Sequence, residues 1–222
     1  MTPSAAAPAG RPDPLFTSAF FLLLGGHFLQ ACGYATMTLF PLYLEHLEAS
    51  RTEIGLVMAA PAIGGIATRP VVGWALDTIG RKQTVFVGTL LLAFSMFGIA
   101  GVTAIGPYVF ALRLVFGMGV GALFTGYFTF AADIIPESRR TEGIAIFGIS
   151  GLMPLVINGF VGFLDLPAPS LRWFFPLVGV AILASLLFLW RLGEPHPEDD
   201  GSDAFSPLAA LRMLRSKAML PV

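Results

Sequence analysis

The chain has 222 residues, 55% hydrophobic and only 12% charged, with a formal net charge of −1 and a mean hydropathy of +0.78. A soluble domain carries about 25% charged residues, so this composition marks a membrane protein, and the near-zero charge argues against nucleic acid as a partner. The single cysteine, Cys32, lies in an apolar run, cannot form an intrachain disulfide and reads as a small buried hydrophobe.

Residues 1–14, rich in Ala and Pro, read as a disordered tail. The apolar run from Leu15 to about Leu44 is too long for a signal-peptide core and reads as a retained span. A bilayer needs about 20 apolar residues per helix, and six runs qualify: Leu15–Leu44, Ile54–Leu76, Thr84–Ile105, Pro107–Ile135, Gly143–Leu166 and Trp173–Leu192. Tyr43, Trp74, Tyr108, Trp173 and Trp190 stand near run ends, where interfacial aromatic belts belong. The expected architecture is therefore an all-α membrane bundle over residues 15–192. Beyond Leu192 the chain turns polar. Within residues 193–217, Leu208, Leu211 and Leu214 fall at helical spacing and predict a short interfacial helix. Residues 218–222 resemble the opening of a seventh run.

Orientation follows from the basic residues. With the N-terminus inside, the inner segments hold nine (Arg11, Arg81, Lys82, Arg139, Arg140, Arg191, Arg212, Arg215 and Lys217), the outer loops two (Arg51 and Arg172) and the spans two (Arg69 and Arg113). That bias predicts that both ends face the cytoplasm. A faint repeat is also visible. Glu48 to Glu53 and Glu137 to Glu142 match at four of six positions, at a constant offset of 89 (51 to 140), and the same offset carries Gly73 onto Gly162. One segment is expected outside and the other inside, as an inverted 3+3 repeat requires.

No metal-ligand cluster, phosphate-binding glycine loop or nucleophile triad is apparent, so no cofactor is expected. Polar residues inside spans are the functional candidates, because desolvating them is costly. In the first run His27, Gln30, Tyr34 and Thr38 fall at i, i+3, i+7 and i+11, on one face within about 80°. Such a stripe faces either a cavity or another helix. Arg113 sits about two turns into the fourth run, roughly 9 Å from its outer end, ahead of Gly117, Gly119 and Gly121. Those glycines suit close helix packing. Tyr127 lies near the same face of the fourth run, and Asn158 is a lone amide in the fifth. Arg69 in the second run reads as snorkelling to the cytoplasmic edge, and Pro70 after it as a kink.

The most specific stretch is the turn between the second and third runs, Gly73-Trp-Ala-Leu-Asp77-Thr-Ile-Gly80-Arg81-Lys82. Gly80 can supply the reversal because it lacks a Cβ, and Asp77 with Arg81 and Lys82 predicts an acid–base cluster at the bilayer edge. The pattern G-x-x-x-D-x-x-G-R-K, placed between these runs, resembles the signature loop of the major facilitator superfamily. Thr78 departs from it, standing where a further basic residue is common. Arg113-x-x-x-Gly117-x-Gly119 is similar to the fourth-helix motif of the same family. The drug antiporters of that family carry a Gly-Pro pair and paired glycines in the fifth helix, where this chain has Met153-Pro154 and Asn158-Gly159.

The resemblance implies the N-terminal six-helix half of a secondary transporter that works by alternating access, in the plasma membrane (the inner membrane of a bacterium). Its implied partners are a small organic solute, protons, the lipid bilayer and a second six-helix half, or alternatively a homodimeric copy. It further implies that His27, Gln30, Tyr34, Thr38, Arg113, Tyr127 and Asn158 line a substrate or proton path, with Arg113 and His27 in coupling. Gly73, Asp77, Gly80, Arg81 and Lys82 would form a conformational-switch loop. A non-transporting scaffold or receptor on the same fold is the alternative.

Overall fold

The computed structural model describes residues 14–156, 159 and 167–193. The tail to residue 13, Asn158, Gly162 and everything beyond 193, including the expected interfacial helix and seventh run, lie outside the described residues.

The first predicted run is one span with a break in it. Helix α1 (Ser18–Thr36) opens on Thr17, whose hydroxyl accepts the Phe20 N–H at 3.2 Å. It tightens into a single 3-10 turn at Met37–Leu39 and resumes as α2 (Phe40–His46). The break has a local cause: Pro41 has no N–H to offer the carbonyl of Met37. The second span, α3 (Arg51–Thr78), starts three residues before the apolar run because Ser50 and Glu53 form a reciprocal capping box. Ser50 N–H donates to Glu53 Oε2 at 2.8 Å, and Ser50 Oγ accepts the Glu53 N–H at 3.3 Å. Helix α4 (Arg81–Gly98) ends in a 3-10 turn at Ile99–Gly101. Helix α5 (Pro107–Ile134) opens on proline, whose missing N–H is no loss in a first turn. Helices α6 (Arg140–Leu152) and α7 (Leu171–Arg191) complete the described bundle.

Among the described residues, five helices are long and apolar enough to cross a membrane: Ser18–His46, Arg51–Thr78, Arg81–Gly101, Pro107–Ile134 and Leu171–Arg191. The predicted run 143–166 is described as helix only over its first part, in α6.

Helix α5 packs on α3 and α4, α1 packs on α7, α6 and α5, and α4 also meets α7. The pairing is symmetric: α3 and α4 flank α5 as α6 and α7 flank α1. Helices α3 and α6 open at Arg51 and Arg140, the two arginines of the sequence repeat. Phe20, Leu23, Leu92, Met96, Phe130, Phe147, Phe175 and Ile182 fill the interior. The outside is apolar as well. Phe86, Val87, Leu90 and Phe94 on α4, and Leu177, Val180, Leu187 and Trp190 on α7, are all exposed. An apolar interior beneath an apolar exterior is what lipid as solvent requires. Packing rather than water exclusion then holds the helices together, so small residues mark the seams. Gly117 and Gly64 are the tightest: a Cβ on either would collide with backbone of the other helix, at Pro61 and Leu114 respectively. Gly121 faces Gly65 in the same α3–α5 seam, whereas Gly119 turns to Gly88 and Leu92 of α4. The glycines of α5 thus serve helix packing, as their spacing suggested.

Candidate functional site

The polar stripe of α1 divides between two neighbours. His27 and Tyr34 point at α6, where His27 Nδ1 lies 2.8 Å from Ser150 Oγ and the Tyr34 hydroxyl 3.4 Å from the Gly151 carbonyl. Gln30, about 60° round the helix from His27, reaches α4 and α7 instead, donating from Nε2 to Thr89 Oγ1 at 2.7 Å and to Ser185 Oγ at 2.6 Å. Thr38 falls in the 3-10 turn, is exposed, and donates to the Ala35 carbonyl at 3.0 Å. The single face expected from an unbroken helix is therefore two faces and a turn.

The hydrogen-bond network around His27 assigns its tautomer. Ser150 Oγ donates its only proton to the Phe147 carbonyl at 2.7 Å, so it can only accept from His27. The neutral ring must carry its hydrogen on Nδ1, leaving Nε2 as an acceptor. The ring stacks on Phe147 at 4.3 Å between centroids, with Tyr127 at 5.3 Å and Phe128 at 6.1 Å. Its Cε1–Nε2 edge faces Gly151, where a Cβ would come within 2.7 Å of Cε1 and 2.9 Å of the Tyr34 hydroxyl. The absent side chain at 151 makes the room that both residues occupy.

Tyr127 is buried and belongs with His27 and Gln30 rather than with Arg113. Its hydroxyl stands against the side chains of Ser185 and Gln30 and would lie 2.9 Å from a Cβ on Gly26. Thr89 and Ser185 each donate to a carbonyl of their own helix, Val85 and Ile182. Both are thus committed acceptors for the Gln30 amide. Gln30 Oε1 is left buried and without a partner.

Arg113 is buried, at 3% exposure, and does not snorkel to the end of its helix. Its Nε donates to the Val57 carbonyl at 3.2 Å, and its terminal nitrogens meet Met37 Sδ at 2.9 Å and Met58 Sδ at 3.7 Å. Phe116 and Phe40 cover the guanidinium at 4.7 and 5.5 Å from their centroids. The structure does not bring Arg113 and His27 together. Met37, which Arg113 touches, is ten residues along the chain from His27, about 15 Å of helix rise.

At the α3–α4 turn, Gly80 has φ 114° and ψ 162°, a conformation open essentially to glycine alone. Arg81 Nε pairs with Asp133 Oδ2 near the end of α5 at 2.8 Å, and its NH1 donates to the Leu76 carbonyl at 2.9 Å. Lys82 Nζ donates to the last carbonyls of α7, Leu192 at 2.8 Å and Trp190 at 3.2 Å. The expected acid–base cluster exists, but its acid is Asp133. Asp77 is exposed and forms no ion pair among the described residues. Gly73 is half-buried one turn earlier on α3.

Sequence reasoning missed Asp133, Ser150, Thr89 and Ser185. A carboxylate at the end of an apolar run was a usable signal for Asp133. Lone hydroxyls inside apolar runs carry no pattern.

Similarity to known proteins bears on the family and the fold. The chain is 27% identical over 191 residues to the multidrug resistance protein MdtL of Vibrio parahaemolyticus, covering 79% of this chain and 47% of that one. It is 28% identical over 162 residues to multidrug resistance protein 1 of Bacillus subtilis, covering 72% and 41%. The chain thus spans about half the length of the curated relatives it matches. Among solved structures, the proton:xylose symporter XylE of E. coli superposes with a TM-score of 0.68 at 17% identity, over 80% of this chain and 45% of that one. The human organic anion transporter MFSD10 gives 0.67 at 20%, over 88% and 55%. Residues 22–221 match the sequence profile of the Major Facilitator Superfamily. With its apolar spans, its Gly80 turn and this match, the chain is a multi-pass membrane protein belonging to the Major Facilitator Superfamily.

Proposed function

We propose that the chain forms one bundle of a secondary transporter that moves a small organic solute by alternating access, coupled to protons. The observation that carries this reading is His27. An imidazole with one nitrogen fixed by Ser150 and the other open, inside an apolar bundle, is an expensive arrangement for structure alone and a useful one for carrying a proton. Relatives named for multidrug resistance and a structural neighbour named as a proton symporter are consistent with it.

The symmetric pairing of α3 and α4 on α5, and of α6 and α7 on α1, supports a six-helix bundle built as an inverted 3+3 repeat, with the fifth span in the region of residues 143–166. In this reading residues 15–192 are the bundle, 1–14 a cytoplasmic tail, 193–217 a central loop with an interfacial helix, and 218–222 the opening of the next span. The second wall of the pathway comes from a C-terminal half or, in the alternative, from a second copy of the chain. Arg81 and Lys82 mark the cytoplasmic end because the basic residues gather there. Tyr34, Gln30, Thr38, Tyr127 and Asn158 belong to the path with His27. Arg113 acts apart from His27, through the contact of α5 with Met37 and Met58. Gly73, Asp77, Gly80, Arg81 and Lys82 form the switch loop.

The test is proteoliposome uptake of a solute panel, with internal pH followed by a trapped dye, using the chain co-expressed with the C-terminal half of the transporter. Saturable uptake that moves the internal pH is expected, and His27→Ala should abolish the pH change. Saturable uptake with no pH change would contradict proton coupling. No saturable uptake of any solute would favour the non-transporting scaffold.

A further inference from the structure

Arg69 is the second arginine within a span. It lies nine residues before the end of α3 at Thr78, about 14 Å along the axis. It is exposed, and among the described residues it has no hydrogen-bond or ion-pair partner. Snorkelling toward Thr78 runs against the geometry, because Cα–Cβ bonds in a helix tilt toward the N-terminus. Instead Arg69 lines a cleft of about 440 Å³ between α3 and α5. No acidic residue of the described chain neutralises it there. Asp77 is two turns further along α3, Asp133 is held by Arg81, and Glu45, Glu48, Glu53, Glu137 and Glu142 lie in loops or within a turn of a helix end. Among the described residues nothing compensates this guanidinium, and a charge inside a span is costly unless it is paired, so an anion is the partner its chemistry calls for.

The remaining walls of the cleft describe that anion's companion. Phe116 and Phe124 stand on one side and Gly65, Gly117 and Gly121 form the floor. Phe124 is 59% exposed, and its ring meets Phe128 at 4.7 Å, which in turn meets His27 at 6.1 Å. A chain of ring contacts thus joins the wall of the cleft to His27. Thr125, also in the lining, donates its hydroxyl proton to the Gly121 carbonyl and has none left for an anion. Arg69 is the one cationic side chain in the lining.

We propose that Arg69 and the α3–α5 cleft form a recognition subsite for the carboxylate of an amphipathic solute, whose aromatic body lies against Phe116 and Phe124. The planar guanidinium offers two parallel N–H groups to a carboxylate, and the volume fits a small organic acid. This assignment rests on the transport reading, since it places the cleft on the solute path.

The experiment measures binding of fluorescent 2-naphthoate, and of its neutral twin 2-naphthamide, to residues 1–222 in lipid nanodiscs, with and without the co-expressed C-terminal half. Naphthoate should bind roughly tenfold or more tighter than naphthamide, as expected for a hydrogen bond to a charged group. Arg69→Gln should erase that difference, Arg69→Lys should keep part of it, and the second half should leave it in place. Equal binding of the two probes, or a difference that survives Arg69→Gln, overturns the proposal. So does loss of naphthoate binding when the second half is added, which would assign Arg69 to an ion pair between bundles. Arg69 is exposed, so an unchanged melting temperature verifies that Arg69→Gln folds. Because the readout is binding, carboxylate discrimination without uptake would count against the transport reading alone. Uptake without discrimination would count against the subsite alone.

Discussion

Two buried residues decide how α1 is held, and they work by different means. His27 depends on an absence, the missing side chain at Gly151. Gly151→Ala pushes a methyl into both the imidazole and the Tyr34 hydroxyl, an overpacking that costs about 1–3 kcal/mol. It should reduce proton-coupled flux severalfold while leaving expression near normal, as read by the pH-dye assay and membrane yield. Gln30 depends on hydroxyls from two other helices. Its two hydrogen bonds contribute roughly 0.6–2 kcal/mol each in a membrane, so Gln30→Ala should destabilise the bundle by about 1–4 kcal/mol, measured by denaturation in detergent micelles. Gln30→Glu should be worse, because Thr89 and Ser185 have already given their protons to carbonyls and have none for a carboxylate. His27 and Gln30 were visible in the sequence because polar side chains are rare in apolar runs. Their partners were not, since Ser150, Thr89 and Ser185 are brought to α1 only by tertiary packing.

Helices here are set by caps, prolines and glycines, and part of that was legible. The glycine turn was read directly, and Gly80 does adopt a glycine-only conformation, whereas the Ser50–Glu53 box, which starts α3 ahead of its apolar run, was not read. The break at Met37–Leu39 was not anticipated, although Pro41 announces it four residues later. That break also explains why Thr38 leaves the stripe. At the α3–α5 seam, Gly117→Ala should separate the two helices and sharply lower the yield of folded protein. Gly148→Ala, which meets nothing within 4 Å, should be silent. Comparable yields of the two variants, by size-exclusion chromatography, would show that the seam is looser than described.

The whole molecule is a bundle tied at one end by charge. Arg81 joins the α3–α4 turn to α5, and Lys82 joins it to the end of α7. Asp133→Arg and Arg81→Asp should each impair folding or switching. The double exchange should recover about 0.2–1 kcal/mol of coupling in a double-mutant cycle, the range for a partly exposed pair. The existence of that cluster was legible in the sequence, but its acid was not, because Asp133 is distant in the chain and adjacent only once α5 packs beside α4.

The central claim is that one side of this bundle lines a solute path and the other meets lipid. In a Cys32→Ala background, Phe124→Cys samples the α3–α5 side and Phe94→Cys the outer face of α4; the native rings are 59% and 63% exposed. A membrane-impermeant maleimide applied to the chain assembled with its second half should label position 124, at a rate that solute or an imposed pH gradient changes. Position 94 should stay unlabelled in lipid. Equal labelling at the two positions, or none at 124 under any gradient, would contradict the account.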